Sequence, residues 1–496
     1  MPFLKLVSKA VSKFQDFDFY QPTSRQYKLL PFKFDRINDE EYVLTNLVGE
    51  FLVFSHENLK SIIEHRLTPD QPGYADLRAK HFIYETTEHA PLELLALKFR
   101  TKLARLANFT NLHLFVVTLR CDHSCPYCQV SRQSEDKASY DMTKETADKA
   151  LDFVFRSPSP GIKIEFQGGE PLLNFEMVEY VVLQAKERNK TLGRDIQFVI
   201  ATTLSLLTDE ILDFCREHKI MLSSSLDGPE DLHNQNRPRP GKNSYQKFVE
   251  GLSKARLALG YDQISALMTT TENSLTRGHE IIDEYLRLGF QGVFLRALSP
   301  YGFAIKTKKY MAYDTEHWLE FYKESLDYII KLNKAGIRFV EHYAALILTK
   351  MLTSTDPGFV DLMNPSGVGI AAIVFNYDGS VYASDESRML AEMGDQTFRL
   401  GHLMENTYEE IILSDTLLDA LEDTFTLSAP MCSDCSFESY CGADPVYHHA
   451  IHKDMVARKP ESGFCKRNMT IFKYLIELMR NDEQTQRIFL GWANKC

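Results

Sequence analysis

Apolar runs alternate with segments of helical period along the middle of this chain, from about residue 111 to residue 299. Residues 112–119, 162–166, 196–201, 220–226, 264–269 and 293–298 are runs of strand length and are predicted as six β-strands. Amphipathic segments lie between them. In residues 143–155, Ala147, Leu151 and Phe155 recur four apart, and residues 208–218 open on the good helix cap Thr208. Strand and helix in alternation predict an α/β fold, a parallel sheet curled into a partial (β/α)6 TIM-type barrel. Two missing units leave one side open, wide enough for a peptide. Such folds place their chemistry just beyond the C-terminal ends of the strands.

The pattern changes on both flanks. Residues 27–34, 42–44 and 50–54 are short runs of β-type composition separated by turn-forming clusters. Ser55 then caps a predicted helix over residues 56–66, with Leu59, Ile62 and Ile63 on one face. After the barrel, residues 307–352 are predicted helical, with a stripe of Trp318, Leu319, Tyr322, Leu326 and Ile330 that reads as packing. Residues 370–375 and 380–383 flank Asn376-Tyr-Asp-Gly379, a strong hairpin signal. The expected domains are residues 1–108, the barrel 109–305, a helical linker 306–360 and a C-terminal domain 361–496.

Charge narrows the partners. Lys and Arg number 56 against 68 Asp and Glu, a formal net charge of −12, so there is no basic stripe for a phosphate backbone and no nucleic-acid partner is expected. No apolar run approaches the ~20 residues that span a bilayer. Residues 1–20 interleave Lys5, Lys9 and Lys13 with apolar positions and lack a signal peptide's apolar block. The expected location is the cytoplasm, with no membrane partner. Clustered thiols in that reducing compartment are expected to hold metal and not to pair as disulfides.

The cysteines fall mainly into two groups. Cys121-Asp-His-Ser-Cys125-Pro-Tyr-Cys128 follows the first barrel strand directly. Thiolates are preferred ligands of iron-sulfur clusters and zinc, and three of them do not close a four-coordinate structural zinc site. On a four-iron cluster they leave one iron open to bind a small molecule and hand it an electron. A zinc knuckle, or a redox pair in Cys125-Pro-Tyr-Cys128, would use the same residues. Cys432, Cys435, Cys441 and Cys465 supply four thiols, a complete cage for zinc or for a fully ligated cluster. Cys215 and Cys496 are left over and read as structural or incidental.

The spacing C-x-x-x-C-x-aromatic-C after a strand resembles the signature of the radical S-adenosylmethionine (SAM) superfamily. Phe166-Gln-Gly-Gly-Glu-Pro171 resembles that family's GGEP motif, and Ser225-Leu-Asp-Gly-Pro229 with Arg237 resembles its SAM ribose and carboxylate region. The resemblance implies a [4Fe-4S] cluster on Cys121, Cys125 and Cys128 whose open iron is chelated by the methionine end of SAM. One electron then splits the sulfonium and releases a 5′-deoxyadenosyl radical, which abstracts hydrogen from a substrate. It also implies SAM contacts. Tyr127 lays its ring or backbone against adenine, and Gly168 and Gly169 let the backbone approach the ligand. Glu170, followed by Pro171, accepts from the methionine ammonium, Ser225 meets the ribose, and Arg237 pairs with the methionine carboxylate. Gln167 is expected to touch SAM or substrate and Asp227 to brace its turn. Arg296 is expected to face the barrel mouth or to satisfy strand-end carbonyls. Thr203 and Leu204 depart from the family's T-N-G-T-L-L pattern, and no contact is assigned to Thr202 or Thr203.

The N-terminal strands and helices resemble the winged-helix peptide-recognition element of peptide maturases, which would add a substrate leader as an extra strand. Buttressing the barrel is the plainer alternative. C-x2-C-x5-C with a distant fourth cysteine resembles the SPASM extension of such enzymes, which carries two auxiliary [4Fe-4S] clusters. This chain departs from that pattern, because residues 364–369 and 382–384 hold no cysteine and Pro445 stands at a further expected thiol. Two [4Fe-4S] clusters in all are therefore implied, one binding SAM and one auxiliary. Asp385 aligns with a carboxylate that serves as a base in some relatives, and capping its neighbours is the alternative role.

Over nearly its full length the chain resembles the maturases of the His-Xaa-Ser system. The resemblance rests on residues 42–50, on residues 116–133 and on the missing auxiliary ligands. It implies a ribosomally made precursor peptide with His-x-Ser repeats, bound through a leader segment, and oxidative side-chain modification or cross-linking as the reaction. A paired second radical SAM maturase and an electron donor such as flavodoxin or ferredoxin are the implied partners. Two competing expectations are a maturase of a folded protein, as in sulfatase maturation, and a non-enzymatic metal-bound peptide scaffold.

Overall fold

The computed structural model describes residues 27–85, 90–311 and 313–494. The expectations for residues 1–20 and for Cys496 lie outside these. The chain forms two compact units, residues 1–99 and 100–496.

In the first unit β1 (Tyr27–Leu29) precedes an antiparallel sheet of β2 (Phe32–Arg36), β3 (Glu41–Asn46) and β4 (Phe51–Ser55), and pairs with β5 (Ile83–Glu85). The run expected over residues 27–34 is thus two strands. Pro31, between them, has no N–H to give a ladder. Helix α1 (His56–Ile63) starts where Ser55 Oγ accepts the Asn58 N–H at 3.3 Å, and it buries Leu59 and Ile62 among Tyr27, Leu44 and Phe82.

The second unit is built on β6 (Leu112–Thr118), β7 (Gly161–Gly168), β8 (Asp195–Thr202), β9 (Met221–Ser225) and β10 (Ile264–Leu267), paired in parallel in that order. Thr208 caps the helix Asp209–His218 as the sequence predicts, and Thr143 caps the helix Lys144–Val154. Along β7, Ile162, Ile164 and Phe166 are buried. The opposite face carries half-buried Lys163, Glu165 and Gln167.

The sixth expected strand, residues 293–298, is cut to β11 (Gly292–Val293), which leaves the main sheet and pairs with β12 (Val340–Glu341). The cause is the fully buried Glu341 carboxylate. Leu295 N–H donates to Glu341 Oε1 at 3.1 Å and Arg296 N–H turns back to Phe294 O at 2.8 Å, so backbone donors that a ladder needs are used elsewhere. Residues 372–375 supply the sixth parallel strand instead. There β13 (Ala372–Phe375) pairs with β6, and β14 (Ser380–Tyr382) and β15 (Arg399–His402) extend the sheet antiparallel.

The helical stretch expected over residues 307–352 is two helices, Thr315–Lys334 and His342–Leu352, parted by β12. The stripe from Trp318 to Ile330 is buried, as packing requires. Glu341 caps the second helix, accepting the Tyr343 and Ala344 N–H groups at 3.3 and 2.6 Å and the Tyr322 hydroxyl at 2.7 Å. No helix among the described residues is long and apolar enough to cross a membrane. Glu341→Ala strands four buried donors and is expected to cost about 3–5 kcal/mol. A thermal melt checks this, with exposed Glu187→Gln changing stability by less than about 0.5 kcal/mol.

Candidate functional site

The three-thiol loop leaves the C-terminal end of β6, and β7 ends beside it. A Cβ on Gly168 would lie 2.0 Å from the Thr118 carbonyl oxygen, and one on Gly169 2.2 Å from that of Arg120. No side chain fits there. Gly169 N–H donates to Thr118 O at 2.9 Å and Glu170 N–H to Arg120 O at 2.8 Å. The backbone that leads into Cys121 thus packs directly on these two glycines. Arg120 is fixed in turn by Asp141, through Nε at 2.8 Å and Nη2 at 2.7 Å. The loop is pinned again further on, where Ser124 N–H donates to Pro238 O and Phe303 N–H to Cys128 O, each at 2.7 Å.

Glu170 is wholly buried. Its carboxylate accepts from Leu172 N–H at 3.1 Å, Thr202 Oγ1 at 2.7 Å, and Thr203 N–H and Oγ1, each at 2.8 Å. Four donors match the lone pairs a carboxylate offers. Burial raises the carboxyl pKa and these bonds oppose it. The carboxylate expected to accept an ammonium thus also meets Leu172 and the two threonines to which the sequence assigned no contact. Glu170 instead ties the end of β8 to the GGEP turn, where buried Pro171 opens a short 3-10 turn.

Tyr127 is 5% exposed, packed with Leu298 and Ala304. Its hydroxyl donates to Asp227 Oδ2 at 2.6 Å, and the Arg237 guanidinium lies 5.6 Å from its ring centre. A ring so covered braces the loop. Arg237 Nε pairs with Asp227 Oδ1 at 3.0 Å, so the residue expected on a methionine carboxylate has a carboxylate of the chain as partner. Ser225 is half-buried at the end of β9.

Sequence reasoning missed a polar chain that joins this pair to the thiol loop. Asp227 N–H donates to His233 Nδ1 at 3.3 Å, which leaves Nε2–H to donate to Ser244 Oγ at 3.1 Å. Ser244 then donates to His123 Nε2 at 2.9 Å, and His123 Nδ1–H to Asp122 at 2.7 Å. Asp122 also accepts the Ser205 hydroxyl at 2.6 Å. His123 lies inside the cysteine motif, the one signal in the sequence that points here.

The thiols suit a metal cluster better than free chemistry. No disulfide joins the described cysteines. Burial drives the Cys125 thiol up to about 12 and Cys121 well above its usual value, and repulsion between neighbouring thiolates adds to both. A reactive thiolate needs the opposite surroundings, whereas a cationic metal centre supplies the missing countercharge. Cys435 and Cys465 are likewise pushed up to about 12 by burial, with the other thiols of their group adding to it, and Asn468, on the helix that carries Cys465, meets Cys441 Sγ at 3.8 Å. Cys215 is buried on its helix and stands apart.

Gln167 donates to Glu165 Oε1 at 2.9 Å, on the same face of β7, and Glu165 lies in the field of Asp385. Asp385 is held by Arg388, with Nη2 at 3.2 Å. Its neighbour Glu386 pairs with Arg296 Nη2 at 3.1 Å, while the Arg296 carbonyl accepts the Thr270 N–H at 2.9 Å.

Residues 115–275 match the family model described as Radical SAM superfamily, and this stretch is a radical SAM domain. An uncharacterised protein of Methanocaldococcus jannaschii is 29% identical over 190 residues, 38% of this chain. The match spans 63% of that relative, less than two thirds of its length. The cysteine-type anaerobic sulfatase-maturating enzyme of Clostridium perfringens is 24% identical over 336 residues, covering 65% of this chain and 84% of that protein. The crystal structure of Streptococcus suis SuiB bound to precursor peptide SuiA superposes with a TM-score of 0.52 at 14% identity, covering 89% of this chain and 100% of that chain. The fold is thus the radical SAM α/β fold with a mostly parallel central sheet. If the glycine pair holds the loop, Gly169→Ala is expected to lose the metal of the first thiol group, roughly half the total if both groups hold clusters. Metal analysis after anaerobic purification checks this, with unchanged circular dichroism showing that the fold persists.

Proposed function

We propose that this chain is a radical SAM enzyme that cleaves SAM reductively and uses the 5′-deoxyadenosyl radical for oxidative modification or cross-linking of residues in a ribosomally synthesised precursor peptide. One observation carries this reading: three cysteines on a loop at the C-terminal rim of a parallel sheet, fixed by the Gly168–Gly169 approach. A [4Fe-4S] cluster on those thiols supplies one open iron and the electron for SAM. The chain's own part is to hold the loop through Arg120, Glu170, Tyr127 and Asp227, and to keep Arg237 and Ser225 at the neighbouring strand end.

Cys432, Cys435, Cys441 and Cys465 are proposed to hold one fully ligated auxiliary [4Fe-4S] cluster. Lys350 lies in the field of Cys441 and Lys459 in that of Cys465, which offsets thiolate charge there. The SuiB structure with its precursor peptide supports a peptide substrate. His-x-Ser repeats are proposed as the modified sequence and a leader segment as the handle, paired to edge strand β2 or β4 of the first unit. A second radical SAM maturase, a flavodoxin or ferredoxin as donor, and a cytoplasmic location complete the proposal. Asp385 and Gln167 are proposed to face the substrate, Asp385 as its base. The 84% coverage of the Clostridium perfringens enzyme favours a second reading, maturation of a folded protein.

Co-expression with a precursor peptide encoded beside it, read by high-resolution mass spectrometry, tests the proposal. A mass or stereochemical change is expected with the wild type and none with Cys125→Ala. No change at any residue contradicts the proposal, and modification of a substrate without a leader supports the second reading. Cys441→Ala is expected to keep SAM cleavage and lose about four of about eight iron atoms per chain.

A further inference from the structure

We propose that Asn468, oriented by the Tyr343 hydroxyl, donates a hydrogen bond to the Cys441 ligand and thereby raises the reduction potential of the cluster held by the second thiol group. The inference rests on reading Cys432, Cys435, Cys441 and Cys465 as the ligands of an auxiliary [4Fe-4S] cluster, and it names the side chain that tunes it. Three segments meet at this point. Asn468 and Cys465 stand three apart on one face of the helix Gly463–Asn481, Tyr343 lies in the first turn of the helix His342–Leu352, and Cys441 follows the short turn Glu438–Tyr440.

The amide has a partner on each side. Asn468 Nδ2 meets Cys441 Sγ at 3.8 Å, and Oδ1 accepts the Tyr343 hydroxyl at 2.7 Å. A ligand thiolate only accepts, so the amide turns its NH2 group to the sulfur and its oxygen to the phenol. Burial pushes the Tyr343 hydroxyl pKa up, which keeps its proton in place as the donor. The Tyr343 ring is held by Phe294 and Phe359, with centroids at 5.6 and 6.2 Å. Asn468 is 1% exposed, so the bond to sulfur lies away from bulk solvent, where it is electrostatically strong. Cys441 is fixed as well. A Cβ on Gly442 would lie 2.4 Å from the Asp361 carbonyl oxygen, so the backbone after the thiol packs directly on another segment.

The donor suits a metal-bound sulfur. A buried amide NH2 group that meets only a sulfur is poorly served by a neutral thiol, a weak acceptor, and well matched to a thiolate. Reduction adds a negative charge to a cluster and its sulfurs, and a donor aimed at one of them favours the reduced state. The bond also differs in kind from its counterparts. Cys435 Sγ accepts the Phe437 N–H at 3.4 Å and Cys121 Sγ the His123 N–H at 3.5 Å, each from the backbone two residues on. Those donors come with the cysteine loops themselves. Asn468 is a side chain 27 positions from Cys441, and nothing in the cysteine spacing requires it.

The test uses the full-length protein purified anaerobically, its metal content, and a redox titration followed by electron paramagnetic resonance. The SAM-binding cluster is the signal that shifts with SAM, and the auxiliary cluster is the one that does not. Asn468→Leu, close in volume and without the donor, is expected to keep about eight iron atoms per chain. Its auxiliary potential is expected to fall by at least about 59 mV, a tenfold change in the one-electron equilibrium. Tyr343→Phe keeps the donor but frees the amide, and is expected to lower the same equilibrium about threefold. In both variants the SAM-responsive signal stays within about twofold of wild type in that equilibrium. An unchanged auxiliary potential in Asn468→Leu with its iron retained overturns the inference and leaves the auxiliary cluster standing. So does an equal fall in both potentials. Where Asn468→Leu sheds the auxiliary iron, Tyr343→Phe decides, and either an unchanged potential or the same loss of iron in it overturns the inference. Wild-type protein with about four iron atoms, or with zinc at these thiols, removes the auxiliary cluster and the inference with it.

Discussion

Two strand ends that approach more closely than any side chain permits govern the rest of this molecule. The carbonyls of Thr118 and Arg120 occupy the positions a Cβ would take on Gly168 and Gly169, and two backbone hydrogen bonds lock the contact. Everything C-terminal to Arg120 inherits that position, including Cys121 and, through the turn that follows, Cys125 and Cys128. A motif that reads as room for a ligand acts first as a joint between strands. The ligand-holding thiols depend on it at one remove.

Buried carboxylates then divide into two kinds. Glu170 and Glu341 are each met by four donors, and each ties a strand end to the segment beside it. A carboxylate so met holds the segments around it in place. Glu386 meets the Arg296 guanidinium and Asp444 the Val446 and Tyr447 N–H groups, and burial pushes both carboxyls up.

Much of the framework was legible from periodicity and caps, since β6 to β10 and the helices opened by Thr143 and Thr208 are set by local pattern. The thiol groups were legible from spacing. What escaped is non-local. A side chain 46 positions away, Glu341, removes residues 294–298 from the sheet, and nothing in an apolar run announces it. The pairing of Tyr127 with Asp227 spans 100 positions and makes the ring a brace of the loop. Glu170 found Thr202 and Thr203 because β7 and β8 are neighbours, a fact that belongs to the sheet and not to either motif.

The central claim is that the first thiol loop presents an iron whose coordination is incomplete. Electron paramagnetic resonance of the reduced, anaerobically purified protein, recorded before and after SAM is added, addresses it directly. A reduced-cluster signal that shifts with SAM, and that is lost on Cys125→Ala, is the expected result. Protein that holds only zinc, or an iron signal indifferent to SAM, would contradict it.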